Sequence, residues 1–206
     1  MQCEVYVKPE RSLGLLGVCV VIATWLPLQS GANEVQQPIQ RITAKGFSFA
    51  PPSEAGWQTS RVSDSRIRLG KFGDGPDETI FIDARLVRLP RFSTSDEFRR
   101  IVGEGAVAYT DKARFKTLRS EVSLDSSRTA LCVRSYGVVE DHAAQRKSGT
   151  TGVMIIEQAA LNCAYPGVPE IGVSFVYSHR YGPGGTDTHF LDKANELFRT
   201  IQFDAL

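Results

Sequence analysis

Ile171-Gly172-Val173-Ser174-Phe175-Val176-Tyr177-Ser178-His179-Arg180-Tyr181 alternates residue by residue between two kinds of surface. Ile171, Val173, Phe175 and Tyr177 take one face, and Gly172, Ser174, Ser178 and Arg180 mostly take the other. Side chains on a strand point to opposite faces in turn, so this period of two predicts a half-buried strand of an antiparallel sheet. Working back from it, the same period recurs at 115–124, 129–140 and 151–163. Thr79–Leu89 repeats it with Ile80, Ile82, Ala84 and Leu86 set against Asp83 and Arg85. Earlier extended pieces are Phe47–Ala50, a stretch opened by Trp57, and Ser65–Phe72 with Ile67 and Leu69 on one side. Gly73-Asp74-Gly75-Pro76 is a turn.

Two segments change period from two to 3.6. Thr94, with Glu97 three residues on, forms a capping box ahead of Phe98, Ile101, Val102 and Tyr109. Gly103 and Gly105 weaken the middle of that helix and are read as allowing close approach to the sheet. A last helix starts near Thr188 with Asp187 as its cap, and Phe190, Leu191, Ala194, Leu197, Phe198 and Ile201 form its stripe. Each helix must bury its stripe on the sheet. The expected fold is therefore α+β, a central antiparallel β-sheet meander with two main helices packed on it.

The N-terminus carries an address. Leu13–Leu28 holds no charge, Lys8 and Arg11 precede it, and Ser30-Gly31-Ala32 supplies a small-residue exit. The run is shorter than the roughly 20 residues a spanning helix requires. This order is that of a secretory signal peptide over 1–32, cleaved after Ala32 or retained as an anchor. A polar tether over 33–44 and a single α+β domain over 45–206 follow. The protein is expected to be periplasmic or secreted, with no stable membrane span in its mature form.

The charge balance is near neutral, a formal net charge of +1, which gives no global electrostatic case for nucleic acid. Of four cysteines, Cys3 and Cys19 leave with the leader and Cys132 and Cys163 remain. In an oxidising compartment that pair is a disulfide candidate. If 129–140 and 151–163 form a hairpin, the two cysteines come opposite each other near its open end.

Chemistry has few places to reside. Of the three histidines, none sits in an HExxH arrangement. No GxSxG nucleophile turn is present. Gly182–Asp187 is glycine-rich but carries Asp187 where a phosphate loop needs Lys followed by Ser or Thr. Asp74, Asp77 and Glu78 surround a turn without the spacing of an EF-hand loop. No catalytic residue, metal or cofactor is expected. His179 is in phase with the apolar face, so Tyr177, His179 and Tyr181 read either as the rim of a ligand pocket or as strand packing. Arg85, Arg88, Arg91, Arg99, Arg100, Lys112, Arg114, Lys116 and Arg119 form either a cationic face or an ordinary mixed-charge surface with the acids between them.

The chain resembles the PsbP-like (Mog-type) superfamily at Phe47-Ser48-Phe49-Ala50-Pro51 followed by Gly56-Trp57, at a charged meander with a helix over Ser95–Lys112, and at a closing helix running into Leu197-Phe198-Arg199-Thr200-Ile201-Gln202-Phe203. That resemblance implies a binding or assembly module and carries no functional residue across. The expected function is a non-catalytic accessory module acting on an envelope protein or another envelope component. The alternatives are a lipid or small-molecule carrier with an apolar pocket, and a small enzyme using His179.

Overall fold

The alternating residues become strands that pair in two sheets. In the computed structural model the described residues are 33–34, 41–75, 77–108, 111–146, 149 and 151–206, all within one compact unit. Residues 1–32, read from the sequence as a signal peptide, and Tyr109 lie outside them. The strands are β1 Asn33–Glu34, β2 Ile42–Ala44, β3 Phe47–Phe49, β4 Gln58–Ser63, β5 Arg66–Phe72 and β6 Thr79–Arg88. After helix α1, Ser95–Ala108, come β7 Phe115–Leu124, β8 Cys132–Gln145, β9 Thr151–Tyr165 and β10 Val168–Tyr181. Helix α2, Phe190–Arg199, and β11 Gln202–Phe203 close the chain.

The large sheet has the order β1-β4-β5-β6-β10-β9-β8-β7, and a small sheet has the order β11-β3-β2. Every pairing is antiparallel. The fold is α+β with the sheet dominant, but it is not the single meander expected. Two meanders, β4-β5-β6 and β7-β8-β9-β10, are zipped together by β6 against β10, where Phe175 faces Ala84. Alternation states which face a residue takes; it does not state which distant strand lies alongside. The tether expected over 33–44 also differs. Asn33–Glu34 pairs with β4, and Ile42–Ala44 pairs with β3 across a turn where Gly46 adopts φ +81°. A side chain there would in addition meet Leu206 at 2.8 Å.

Register fixes the two faces. Ile67, Leu69, Ile80, Ile82, Ala84, Leu161, Val173, Phe175 and Tyr177 share one face and are buried. The small sheet and α2 cover that face. Phe47 and Phe49 meet Phe175 edge-on at 5.2 and 5.5 Å, and Phe190 lies 5.3 Å from Tyr177. Helix α1 lies on the opposite face, with Gly103 beside Val122. Val122 pairs with Ser135, on the side away from Cys132 and Tyr136. The capping box forms with a shift: Thr94 Oγ1 accepts the Glu97 N–H at 3.1 Å, while Glu97 Oε2 reaches back to the Ser93 N–H at 2.8 Å. A Cβ on Gly103 would meet only Val122, at 3.7 Å, and one on Gly105 would meet nothing within 4 Å, so close approach does not explain these glycines.

Cys132 and Cys163 are direct partners in the β8–β9 register and are bonded, with Cα atoms 4.0 Å apart. The neighbouring Ala164 N–H donates to Leu131 O at 2.9 Å. That bond marks the cysteines as a non-hydrogen-bonded pair, the closely spaced position of an antiparallel ladder.

Candidate functional site

The buried face of β10 runs out of apolar residues at its end. Tyr177 is 1 % exposed, His179 4 % and Tyr181 9 %, so the three lie in line on one strand face. Tyr177 belongs to the core rather than to a rim. His179 lies against Tyr181, ring centroids 4.8 Å apart, and stacks at 16° on Phe190, the first residue of α2.

The partner of His179 comes from the β5–β6 turn. Nε2 lies 2.5 Å from Glu78 Oε1. The turn holds Glu78 in place: Gly75 N–H donates to Oε2 at 2.8 Å, and Gly73 N–H donates to the Glu78 carbonyl at 3.1 Å. The Gly75 N–H, resisted by burial and helped by His179, draws the Glu78 carboxyl below its ordinary value. An ionised Glu78 only accepts, so Nε2 carries the hydrogen of that bond. Nδ1 is buried with no hydrogen-bond partner among the described residues.

Glu157, directly across the ladder from His179, collects two phenols. Tyr136 donates to Oε1 at 2.5 Å and Tyr181 to Oε2 at 3.4 Å. Burial first, and then Glu157, pushes both Tyr136 and Tyr181 up to about 12, and burial raises Tyr177 as well. All three remain protonated donors at neutral pH. Beside this nest, Asp187 pairs with Lys193 at 2.9 Å, and Lys71 lies 5.2 Å over the Trp57 ring. Chemically the arrangement is a hydrogen-bonded plug at the end of the core. It holds an imidazole beside a carboxylate, as acid–base chemistry requires, but neither ring nitrogen faces solvent.

Glu78, the partner of His179, and Glu157, which gathers the two phenols beside it, were missed, and one signal in the sequence points to the first. Extending Ile80, Ile82 and Ala84 backward by two lands on Glu78, which places a carboxylate in phase with the buried face. The other acids of that turn gather no metal cluster: among the described residues no three His, Cys, Asp or Glu side chains converge in that way.

Two open clefts lie elsewhere. One, of about 610 Å3, is lined by Asp125, Ser127, Arg128, Arg134, Asn195 and Arg199. The other, of about 500 Å3, lies between α1 and Val122. The basic run is a mixed-charge surface at many positions: Arg99 pairs with Asp96, Arg100 with Glu104, Arg114 with Asp141, Lys116 with Glu140 and Arg119 with Glu121.

No family model matches the chain, and no curated protein matches it. Among solved structures, a mutant of the protein Mog1 is similar with a TM-score of 0.45 and 12% identity, over 81% of this chain and 96% of that one. At that score the likeness carries no argument, and the fold rests on its own register.

Proposed function

We propose that the chain is an exported, non-catalytic binding module that acts on another component of the cell envelope, related to the PsbP-like modules its sequence resembles. One observation supports the reading above the rest. His179, the imidazole best placed for chemistry, has its Nε2 bonded to Glu78 and its ring packed between Tyr181 and Phe190, 4 % exposed. The ring presents little open surface, whereas a general base must come within hydrogen-bond reach of its substrate. Export rests on the uncharged 13–28 run and its small-residue exit. Among the described residues no helix is long and apolar enough to cross a membrane. A carrier would need a cavity lined mostly by apolar groups; the cleft of about 610 Å3 is lined by polar and charged side chains, and the one of about 500 Å3 beside α1 is rimmed by Asp96, Glu97, Arg99 and Arg100 over a mostly apolar floor.

Glu78 at 2.5 Å favours a second reading, a small enzyme using His179 with that carboxylate. Complementation separates the two. In a strain deleted for this protein, His179→Gln should restore the envelope phenotype while lowering stability by about 1 to 3 kcal/mol, the cost of disturbing a buried hydrogen-bonded group. A chain lacking 13–28 should fail to restore it. A folded His179→Gln chain as defective as the deletion would establish the enzyme.

A further inference from the structure

The cleft beside α2 holds three guanidinium groups around one carboxylate. Asp125 is already engaged: Oδ1 accepts the Ser127 N–H at 3.0 Å and its hydroxyl at 2.5 Å, and Oδ2 accepts Arg134 Nε at 3.0 Å. Burial would raise the Asp125 carboxyl, but Ser127 and Arg134 outweigh it and hold it below its ordinary value, so the group is ionised. Arg134 also donates to Asn195 and lies 5.7 Å over the Phe198 ring. Arg128 donates one Nη to the Phe198 carbonyl in the last turn of α2. Its Nε is buried, unbonded among the described residues, and 3.7 Å from Asp125 Oδ2. Burial pushes the Arg128 guanidinium down, the direction expected of a cation short of counter-charge. Arg199 is exposed and has no hydrogen-bond or ion-pair partner among the described residues.

The charge count selects the ligand. Three arginines less one aspartate leave two positive charges in a concave site of about 610 Å3. Arginine stays protonated and presents a planar set of donors that matches oxyanions. A phosphate or phosphomonoester carries roughly −1.5 to −2 at neutral pH, against one charge for a carboxylate. Arg128 and Arg134 also clamp the end of α2 to the sheet. Arg199 has no such duty, and it opens onto the same cleft.

We infer that the Asp125–Arg128–Arg134–Arg199 cleft is a binding site for a phosphate dianion, either free or as the phosphomonoester headgroup of a lipid. This rests on the binding-module reading and gives it a ligand class. The test titrates the mature chain with inorganic phosphate, following amide and arginine Nε resonances, against acetate at equal ionic strength. Saturable shifts centred on the cleft should appear with phosphate and not with acetate. Arg199→Gln, whose fold is checked by its thermal melt, should weaken them about tenfold, as loss of a charge-assisted contact does. Vesicles of phosphatidylcholine with and without phosphatidic acid distinguish the sources. Co-sedimentation only with phosphatidic acid, lost in Arg199→Gln, assigns the site to a headgroup; phosphate binding without co-sedimentation assigns it to a soluble phosphate. No saturable phosphate binding, equal response to acetate, or an Arg199→Gln chain that binds as the native does would each overturn the site. Those failures leave His179→Gln complementation untouched, so the two readings fall separately.

Discussion

Cys132 and Cys163 were legible as a pair because the expected compartment and the expected hairpin pointed the same way, and the structure seats them opposite each other. Closing a loop with a sequence separation of 31 removes chain entropy from the unfolded state, about 3 to 4 kcal/mol for an unstrained bridge. The Cys132→Ser, Cys163→Ser double variant should therefore lose about that much in urea unfolding under oxidising conditions. Under a strong reductant, native and variant should converge; a native chain insensitive to reductant would refute the contribution. The His179 environment was only half legible. Its phase and its aromatic neighbours follow from β10 alone, but Glu78 sits 101 residues away and reads locally as one more acid in a solvated turn. Arg134 was hidden in the same way. It lies in phase with Cys132 and Tyr136 on the covered face, where its charge is met by Asp125 and Asn195.

Strand positions emerged best where alternation was longest. The expected 115–124, 129–140, 151–163 and 171–181 became Phe115–Leu124, Cys132–Gln145, Thr151–Tyr165 and Val168–Tyr181. Boundaries drifted where turn chemistry decides them. Asp187 does not cap α2; its Oδ1 accepts the His189 N–H at 2.9 Å, and the helix begins at Phe190. The short β2 was absorbed into a supposed tether, since three residues are too few for a period to show. The glycines of α1 invite a direct experiment. Gly105 lies mid-helix on an exposed position with open space around its Cβ site. Gly105→Ala should raise stability by about 1 kcal/mol through helix propensity and a less flexible unfolded chain. A measured loss would mean that α1 meets a surface at that position.

The zipping of two meanders by β6 against β10 makes a sheet with helices on opposite faces, and charged groups tie its parts together. Asp83 is met by Arg66, Arg68 and Arg85, and Asp141 by Arg114 at 2.7 Å. Arg114 lowers the Asp141 carboxyl; at Asp83 burial works upward, and Arg66 with its neighbours outweighs it. Glu78, Asp125 and Asp187 are depressed too. A carboxyl depressed on folding contributes stability that is whole above its unfolded value of roughly 4 and is lost as pH falls through the folded value. Urea midpoints should therefore hold between about pH 7 and 5 and drop below about pH 4; a midpoint that rises on acidification would contradict these pairings.

The claim that function here is binding rather than imidazole chemistry turns on whether His179 can be reached. Its side chain is 5 % exposed, against 46 % for His142 and 74 % for His189. Brief treatment of the native mature chain with diethyl pyrocarbonate, followed by peptide mass spectrometry, reads all three at once. Rapid carbethoxylation of His142 and His189 with His179 spared until the chain is unfolded is the predicted result; modification of native His179 at the rate of the other two would contradict it.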